Sequence, residues 1–220
     1  MSRADDIRAG VAAVEARIAA ACARAGRARE SVKLVAVSKT FPAADVDHVI
    51  AAGIADVGEN KVQEARDKKP SVAGTARWHL IGHLQSNKAK DAVRLFDVIQ
   101  TIDSIELAEK IARAAESAGK QQEVLLQVNI GREPQKSGVE PEDVAGLVTR
   151  IAALPSLCLS GLMTIPPVSD DSRPYFRALR TMRDDLGLTE LSMGMTDDFE
   201  VAIEEGATIV RVGRAIFGSR

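Results

Sequence analysis

The segment that decides the fold is the run Ser31-Val32-Lys33-Leu34-Val35-Ala36-Val37-Ser38-Lys39-Thr40. Four of the six residues from 32 to 37 are valine or leucine, and Pro42 limits any helical extension of this short run. A short apolar run rich in β-branched residues is typical of a strand buried on both faces. Polar residues follow at its C-terminal end, where ligands bind in α/β proteins. Lys39 is therefore either a solvated charge that ends the strand or a reactive amine.

The rest of the chain alternates between short apolar runs and helical patterns. Strands are predicted at 32–38, 55–57, 77–81, 96–101, 123–129, 157–163, 188–191 and 207–212. Helices are predicted between them, at 43–53, 60–68, 86–94, 104–119, 141–153, 172–186 and 197–205. Strands that alternate with helices indicate parallel βαβ units, and eight such units close into a (β/α)8 TIM-type barrel. A doubly wound open sheet is the alternative.

A further amphipathic helix precedes the first strand. Residues 3–26 place apolar side chains at spacings of three and four, and the pattern ends near Gly26. We therefore expect one α/β domain over residues 1–220, with an extra N-terminal helix within 1–30 and the barrel in 31–220.

Composition excludes several classes of function. The net charge is -2 and 3% of residues are aromatic, which disfavours nucleic-acid binding and an anionic membrane surface. The N-terminus has no apolar signal segment, and the uncharged stretch 151–169 contains three prolines, which disfavours a membrane helix. Cys22 and Cys158 lack metal-ligand spacing and are interpreted as reduced core thiols of a soluble, cytoplasmic protein.

Two late segments indicate a phosphate site. Ser192, Gly194 and Thr196 follow the seventh predicted strand and precede a helix that Thr196 or Asp197 can cap. Gly213 follows the eighth strand and permits close approach of the backbone to a ligand. Barrels often hold a phosphate in the loops after these two strands. Turn formation and helix capping are the structural alternatives.

A lysine opposite a phosphate site suggests a cofactor that carries both an aldehyde and a phosphate. A lysine amine can form a Schiff base with a positioned carbonyl, and pyridoxal 5'-phosphate supplies the carbonyl and the phosphate anchor. Arg211, which points inward near the end of the eighth strand, is available to the ring nitrogen. Because arginine stays protonated, it would leave that nitrogen unprotonated and the cofactor a weaker electron sink.

Five motifs resemble the pyridoxal phosphate homeostasis protein family. They are Val35-Ala36-Val37-Ser38-Lys39-Thr40, Gly58-Glu59-Asn60-Lys61-Val62-Gln63-Glu64, Trp78-His79-Leu80-Ile81-Gly82-His83-Leu84-Gln85-Ser86-Asn87-Lys88, Ser192-Met193-Gly194-Met195-Thr196 and Val210-Arg211-Val212-Gly213-Arg214-Ala215-Ile216-Phe217-Gly218. The resemblance spans residues 35–218 and implies a single barrel similar to the N-terminal domain of alanine racemase, which is fold type III of pyridoxal phosphate proteins.

The same resemblance implies roles for individual residues. Lys39 would carry the cofactor as an internal aldimine, and Arg211 would face the pyridine nitrogen. Ser192, Thr196 and the backbone at Gly213 and Arg214 would hold the phosphate. Many relatives have a threonine or serine where this chain has Arg214, so a side-chain hydroxyl is missing there while the backbone N–H remains.

Four further residues have less specific predictions. Asn60 and His79 lie near strand ends and are candidates for contact with the cofactor ring or its hydroxyl. The structural alternatives are a helix N-cap for Asn60 and a hydrogen-bonded barrel residue for His79. Lys88 and Lys136 are interpreted as solvated lysines, and Lys136 could also serve as a second, transient acceptor of the cofactor.

Three functions fit these residues. The preferred one is a non-catalytic, monomeric carrier that buffers pyridoxal phosphate or delivers it to apo-enzymes. The second is a racemase or decarboxylase of the same fold, but the similar racemases take a second base, a tyrosine, from a following domain. The sequence ends at Arg220, and its one tyrosine, Tyr175, is interpreted as a packing residue. The third is an aldolase-type barrel in which Lys39 forms a Schiff base with a phosphorylated sugar.

Overall fold

A computed structural model describes residues 2–168 and 171–218, which form a closed barrel of eight parallel strands in the order β1 to β8. The strands are β1 Lys33–Val37, β2 Asp56–Glu59, β3 Arg77–Leu80, β4 Val98–Ile102, β5 Gln122–Gln127, β6 Leu157–Met163, β7 Glu190–Ser192 and β8 Ile209–Val212. Closure is made by β8 against β1, where Val35 lies opposite Arg211. The predicted barrel is confirmed, and the open sheet is excluded.

Helices surround the barrel in chain order. They are α1 Arg3–Arg24, α2 Ala43–Ala51, α3 Val62–Lys68, α4 Ala89–Leu95, α5 Ile105–Ser117, α6 Val144–Ala152, α7 Arg173–Asp185, α8 Phe199–Glu204 and α9 Arg214–Phe217. Each predicted helix overlaps an observed one. The starts of two of them, at Ser86–Lys88 and Pro141–Asp143, are 3₁₀ turns that lead into α4 and α6.

Helix α1 occupies a place in the outer ring. It packs against α2, α8 and α9 and buries Ile7, Val11, Val14, Ile18 and Cys22. The helix that follows β8 is α9, which has only four residues, so α1 covers the gap between the last and first units of the barrel. The sequence pattern showed that this helix exists but not that it fills this position.

Apolar side chains divide into an outer and an inner group. The outer group, between strands and helices, contains Trp78, Leu80, Leu191 and Val210. A smaller inner group contains Val35, Val98, Leu125, Met163 and Ile209. Because side chains alternate along a strand, the residues between outer-group positions point into the barrel. His79 and Arg211 are therefore inward-facing.

The two cysteines differ in their surroundings. Both are free thiols, and Cys22 is buried in α1 as predicted, whereas Cys158 is exposed. The prediction of a core position for Cys158 is wrong. Its neighbours Leu157 and Leu159 pack with the outer group, so alternation turns Cys158 toward the open N-terminal end of the barrel.

No described helix is both long enough and apolar enough to cross a membrane, a search that covered residues 2–168 and 171–218. Ser169, the last residue of the uncharged stretch considered in the sequence, lies outside those ranges, and so do residues 1, 170, 219 and 220.

Candidate functional site

A cavity of about 550 Å³ opens at the C-terminal ends of the strands. Six of the candidate site residues named from the sequence line it, namely Lys39, Asn60, Thr196, Arg211, Gly213 and Arg214. The apolar part of its wall is formed by Val37, Phe41, Ile81, Ile165 and Met195. Concave sites with an apolar wall and a few convergent polar groups are typical of small-molecule binding.

Lys39 lies in a tight turn at the end of β1. The N–H of Phe41 donates to the carbonyl of Ser38 at 3.0 Å, which closes the turn. Thr40 has φ +69°, a left-handed conformation that is uncommon for residues other than glycine. Its N–H donates to Glu64 at 3.1 Å, which helps to hold this backbone in place. Strained backbone of this kind is concentrated at functional sites.

A buried ion pair between β2 and α3 holds the same turn in place. Lys68 pairs with Glu59, and its Nζ donates to the carbonyl of Ser38 at 2.7 Å. The Ser38 hydroxyl donates to Glu59 Oε1 at 2.7 Å. Burial raises the pKa of the Glu59 carboxyl, against the opposing effect of the Lys68 and Ser38 hydrogen bonds. The backbone that carries Lys39 is thus tied to β2 and α3.

The Lys39 amine has no partner in the part of the chain that the structure describes. Within residues 2–168 and 171–218 it makes no hydrogen bond or ion pair, although it is only half-exposed and faces the cavity. Most lysines at such positions are solvated charges. An uncommitted amine at the wall of a cavity is instead available to a ligand.

Arg211 is the buried charge of the cavity wall. It is 3% exposed, and its two terminal nitrogens donate to Ser192 Oγ at 2.5 Å and to the Thr164 carbonyl at 2.8 Å. Burial lowers the pKa of Arg211 to about 10, with Asp198 opposing the shift. Since this value lies well above neutral pH, the guanidinium stays charged and can only donate hydrogen bonds.

The loops after β7 and β8 meet at one side of the cavity. Thr196 comes from the first loop, and Gly213 and Arg214 come from the second. A Cβ at Gly213 would lie 3.1 Å from the Val37 carbonyl oxygen, so glycine allows β8 to approach β1 beside Lys39. Arg214 forms an exposed, two-oxygen ion pair with Asp197 at 2.6 Å, at the edge of the cavity.

The predicted cap of α8 is wrong, and the structural alternative stated for Asn60, a helix N-cap, does not hold. Asp198, and neither Thr196 nor Asp197, occupies the N-cap position of α8, because the turn extends further and the N–H of Met195 donates to Asp198 at 2.7 Å. The N-cap position of α3 is Lys61, so Asn60 is not a cap. Thr196 and Asn60 both line the cavity instead.

Ser192 and His79 lie behind the cavity wall and do not line it. Both are almost completely buried, and the Ser192 hydroxyl is engaged by Arg211 and Gln100. His79 forms two hydrogen bonds, one between its Nε2 and Asp56 Oδ1 at 2.8 Å and one between its Nδ1 and Gln100 Nε2 at 2.9 Å. This placement matches the structural alternative stated for His79, a hydrogen-bonded barrel residue.

Lys88 and Lys136, the two other lysines discussed from the sequence, also lie outside the cavity lining. Lys88 is exposed, as predicted. Lys136 is half-buried, pairs with Glu133 and donates to the Pro166 carbonyl at 2.9 Å, so the prediction that it is solvated is wrong. Its amine is occupied by neighbours, in contrast to that of Lys39.

The sequence reasoning missed several residues of the site. Phe41 and Phe217 stack with ring centroids 4.8 Å apart beside the cavity, and Arg3 lies over Phe41. Gln100 is completely buried within the mostly apolar strand β4. A glutamine in a strand whose other residues are apolar apart from Thr101 was a usable signal. The aromatic pair joins residues 176 positions apart and left no such signal.

Comparison with known proteins identifies the class. The family model described as alanine racemase, N-terminal domain, matches residues 11–220. An alanine racemase structure from Clostridium difficile 630 covers 98% of this chain with a TM-score of 0.78, at 17% identity and over 57% of its own length. The chain is therefore a barrel of the alanine racemase N-terminal type.

Nearer relatives narrow the assignment. The pyridoxal phosphate homeostasis protein of Aquifex aeolicus (strain VF5) is 44% identical over 93% of this chain and 94% of its own. That of Escherichia coli (strain K12) is 39% identical over 98% and 97%. PipY of Synechococcus elongatus PCC7942, solved with PLP bound, is 37% identical over 96% of this chain and 100% of its own, with a TM-score of 0.86. The chain belongs to the pyridoxal phosphate homeostasis protein family.

Proposed function

We propose that this protein binds pyridoxal 5'-phosphate through a Schiff base to Lys39 and holds it for intracellular homeostasis or delivery, without substantial catalysis. The observation that carries the proposal is the unpartnered Lys39 amine at the wall of the cavity formed with the loops after β7 and β8. The PLP-bound relative, PipY, and the family to which the chain belongs support the choice of ligand.

The residues of the cavity fit this cofactor. When bound, pyridoxal phosphate supplies an aldehyde carbon that condenses with a primary amine, with loss of water. Lys39 offers that amine, and Thr196 with the backbone of Gly213 and Arg214 offers donors to a phosphate. Asn60 adds an amide at the cavity wall. The apolar wall formed by Val37, Ile81 and Ile165 suits an aromatic ring.

Arg211 sets the electronic character of the site. It is charged at neutral pH and lines the cavity, so it can only donate to a ring nitrogen that has no proton of its own. An unprotonated ring withdraws electrons weakly. Arg211 therefore favours holding the cofactor over stabilising carbanions on it.

The cavity also lacks an evident second base. Among its lining residues in the described chain, Lys39 is the one lysine, and none is a tyrosine, histidine or cysteine. Asp197 is engaged by Arg214, and Tyr175 lies on α7 outside the lining. Racemisation requires acid–base groups on both faces of the substrate carbon. The lack of a second acid–base group among the described lining residues supports a carrier over a racemase.

The proposal extends to the setting of the protein. We infer a cytoplasmic monomer that gives up its cofactor to apo-enzymes, supported by the balanced charge, the free cysteines and the opening of the cavity to solvent. Size-exclusion chromatography with light scattering tests the monomer, with a mass near 23.5 kDa expected. A mass of twice that value would contradict it.

Absorption spectroscopy tests the function most simply. Wild-type protein titrated with pyridoxal phosphate should become yellow, and Lys39→Ala should lose this absorption band. Lys88→Ala is the matched control, because Lys88 is exposed and lies outside the cavity, and it should behave as wild type. Binding without a Lys39-dependent band would disprove the Schiff base, and no binding at all would favour an aldolase-type barrel.

A second assay addresses catalysis. The loaded protein should not interconvert amino-acid enantiomers at ordinary enzyme rates, about 1 per second or faster. Turnover at such rates would disprove the carrier and favour a racemase.

A further inference from the structure

A buried chain of hydrogen bonds crosses the interior of the barrel from the cavity wall. It runs through Thr164, Arg211, Ser192, Gln100, His79 and Asp56. Its links measure between 2.5 and 2.9 Å, and Ser192, Gln100 and His79 are at most 1% exposed. Buried polar networks are costly unless every member is paired, so this one constrains its members tightly.

The direction of each hydrogen bond can be derived from the end of the chain at Arg211. A guanidinium carries only donors, so Ser192 Oγ accepts from Arg211. The single hydroxyl hydrogen of Ser192 must then go to Gln100 Oε1, 2.6 Å away. This contact fixes the orientation of the Gln100 amide, which turns its nitrogen toward His79.

The same reasoning determines which ring nitrogen of His79 carries the hydrogen. Gln100 Nε2 donates to His79 Nδ1 at 2.9 Å, so Nδ1 carries no hydrogen. His79 Nε2 carries the hydrogen and donates to Asp56 Oδ1 at 2.8 Å. If the Gln100 amide were reversed, Ser192 Oγ would face two donors and its own hydrogen would lose its acceptor.

We propose that Gln100 and His79 are positioning residues, which fix the Ser192 hydroxyl and through it the guanidinium of Arg211 at the cofactor cavity. The inference rests on the proposed function, because Arg211 lines the cavity while neither Gln100 nor His79 does. With Ser192 and the Thr164 carbonyl occupying one side of the guanidinium, the remaining N–H groups of Arg211 are presented to the ligand in one orientation.

The first test replaces Gln100. Gln100→Leu removes the acceptor for Ser192, and pyridoxal phosphate should bind about tenfold more weakly, with a shifted absorption maximum of the bound cofactor. Gln122→Leu is the matched control, since Gln122 is also completely buried but donates to the Asp97 carbonyl and lies outside the chain of hydrogen bonds. The proposal fails if wild type binds and the two variants behave alike.

The second test uses the histidine. His79→Leu should weaken binding and shift the cofactor spectrum in the same way as Gln100→Leu. His79→Gln supplies both an acceptor for Gln100 and a donor for Asp56, so it should restore much of the wild-type behaviour. Equal effects of the two substitutions would show that His79 acts through packing alone.

A measurement on the unaltered protein covers the case in which a variant does not fold. The ¹⁵N spectrum of its three histidines should show His79 as the neutral Nε2–H tautomer near pH 7.5. A hydrogen on Nδ1 would overturn the derived direction and the proposal. Failure of the wild type to bind pyridoxal phosphate at all would instead refute the proposed function.

Discussion

At the scale of single residues, Arg214 stands out because it is a charged side chain that lines the cavity at its edge. Its guanidinium pairs with Asp197 at the edge of the cavity, and both side chains are largely exposed. Exposed pairs contribute little to stability. The pair is therefore better placed to influence an anionic ligand than to hold the fold together.

Replacing Asp197 should release Arg214 to the ligand phosphate. Asp197→Asn removes a negative charge from the cavity edge and should tighten pyridoxal phosphate binding by about two- to fivefold at low salt, with little change in Tm. Arg214→Thr should weaken binding, and both effects should shrink as salt is added. Equilibrium titration by absorbance measures them.

The control for this pair is another exposed one. Arg132 and Glu142 are joined at 2.8 Å away from the cavity lining, so Glu142→Gln should leave binding unchanged. Unchanged or weaker binding in Asp197→Asn would show that Arg214 does not reach the phosphate.

Residue-level prediction from sequence succeeded where a strand end fixes position. Lys39 and Arg211 were placed correctly at the C-terminal end of the barrel, because their positions depend only on where β1 and β8 end. Ser192 and His79 were harder, because their roles depend on Gln100, which comes from another strand. No local pattern states which inward-facing polar groups will meet across a barrel.

At the scale of elements, α1 supports the loops that line the cavity. Arg17 pairs with Glu200 of α8 at 2.7 Å and lies over the ring of Phe199. Arg3 pairs with Asp45 of α2 and donates to the carbonyl of Phe217 in α9 at 3.0 Å. Helix α8 begins shortly after the cavity residue Asp197, and α9 begins at the cavity residue Arg214. Displacement of α1 should therefore change the geometry of the cavity.

Gly10 lies where α1 packs closely against α9. A Cβ at this position would lie 2.7 Å from the carbonyl oxygen of Ile216, a distance that forces one of the helices to move. Gly10→Ala should therefore destabilise the protein by about 1–3 kcal/mol, although alanine is the better helix former. It should also weaken pyridoxal phosphate binding.

Gly146 in α6 provides the matched control. It is exposed, and a Cβ there would meet nothing within 4 Å. Gly146→Ala should stabilise the protein by about 0.5–1 kcal/mol, as expected for an open helix position. Denaturant unfolding of both variants measures the difference, and the same sign for both would contradict the close packing of α1 on α9.

The limits of sequence prediction at this scale concern placement. The 3.6-residue pattern of α1 predicted its apolar face, but its partners α8 and α9 are separated from it by most of the chain. The start of α8 was wrong by one to two residues, because Asp198 accepts from a preceding N–H and extends the turn.

At the scale of the whole molecule, ion pairs on the outer layer predict acid sensitivity. Arginine hydrogen bonds lower the pKa values of Glu200, Glu204 and Glu205, with Arg17, Arg173 and Arg177 respectively as the largest cause. For Glu190, burial would raise the pKa, but Lys33 and Thr208 hold it below its usual value.

All four lowered pKa values have the same consequence, which is that the folded state loses stability at acidic pH. A carboxyl whose pKa is lower in the folded state stabilises the protein above its unfolded pKa, near 4.5, and loses that contribution as the pH falls through the folded value. We expect Tm to change little from pH 7 to 5 and to fall below pH 4.5, as these carboxyls are protonated. Differential scanning calorimetry checks this, and a constant Tm down to pH 3 would contradict it.

The central claim for the molecule is that Lys39 is the covalent attachment point of its cofactor. The most direct measurement is borohydride reduction of the pyridoxal phosphate-loaded protein, followed by digestion and mass spectrometry. The cofactor mass should be found on the peptide that contains Lys39. Its presence on Lys136 or another lysine, with Lys39 unmodified, would contradict the account.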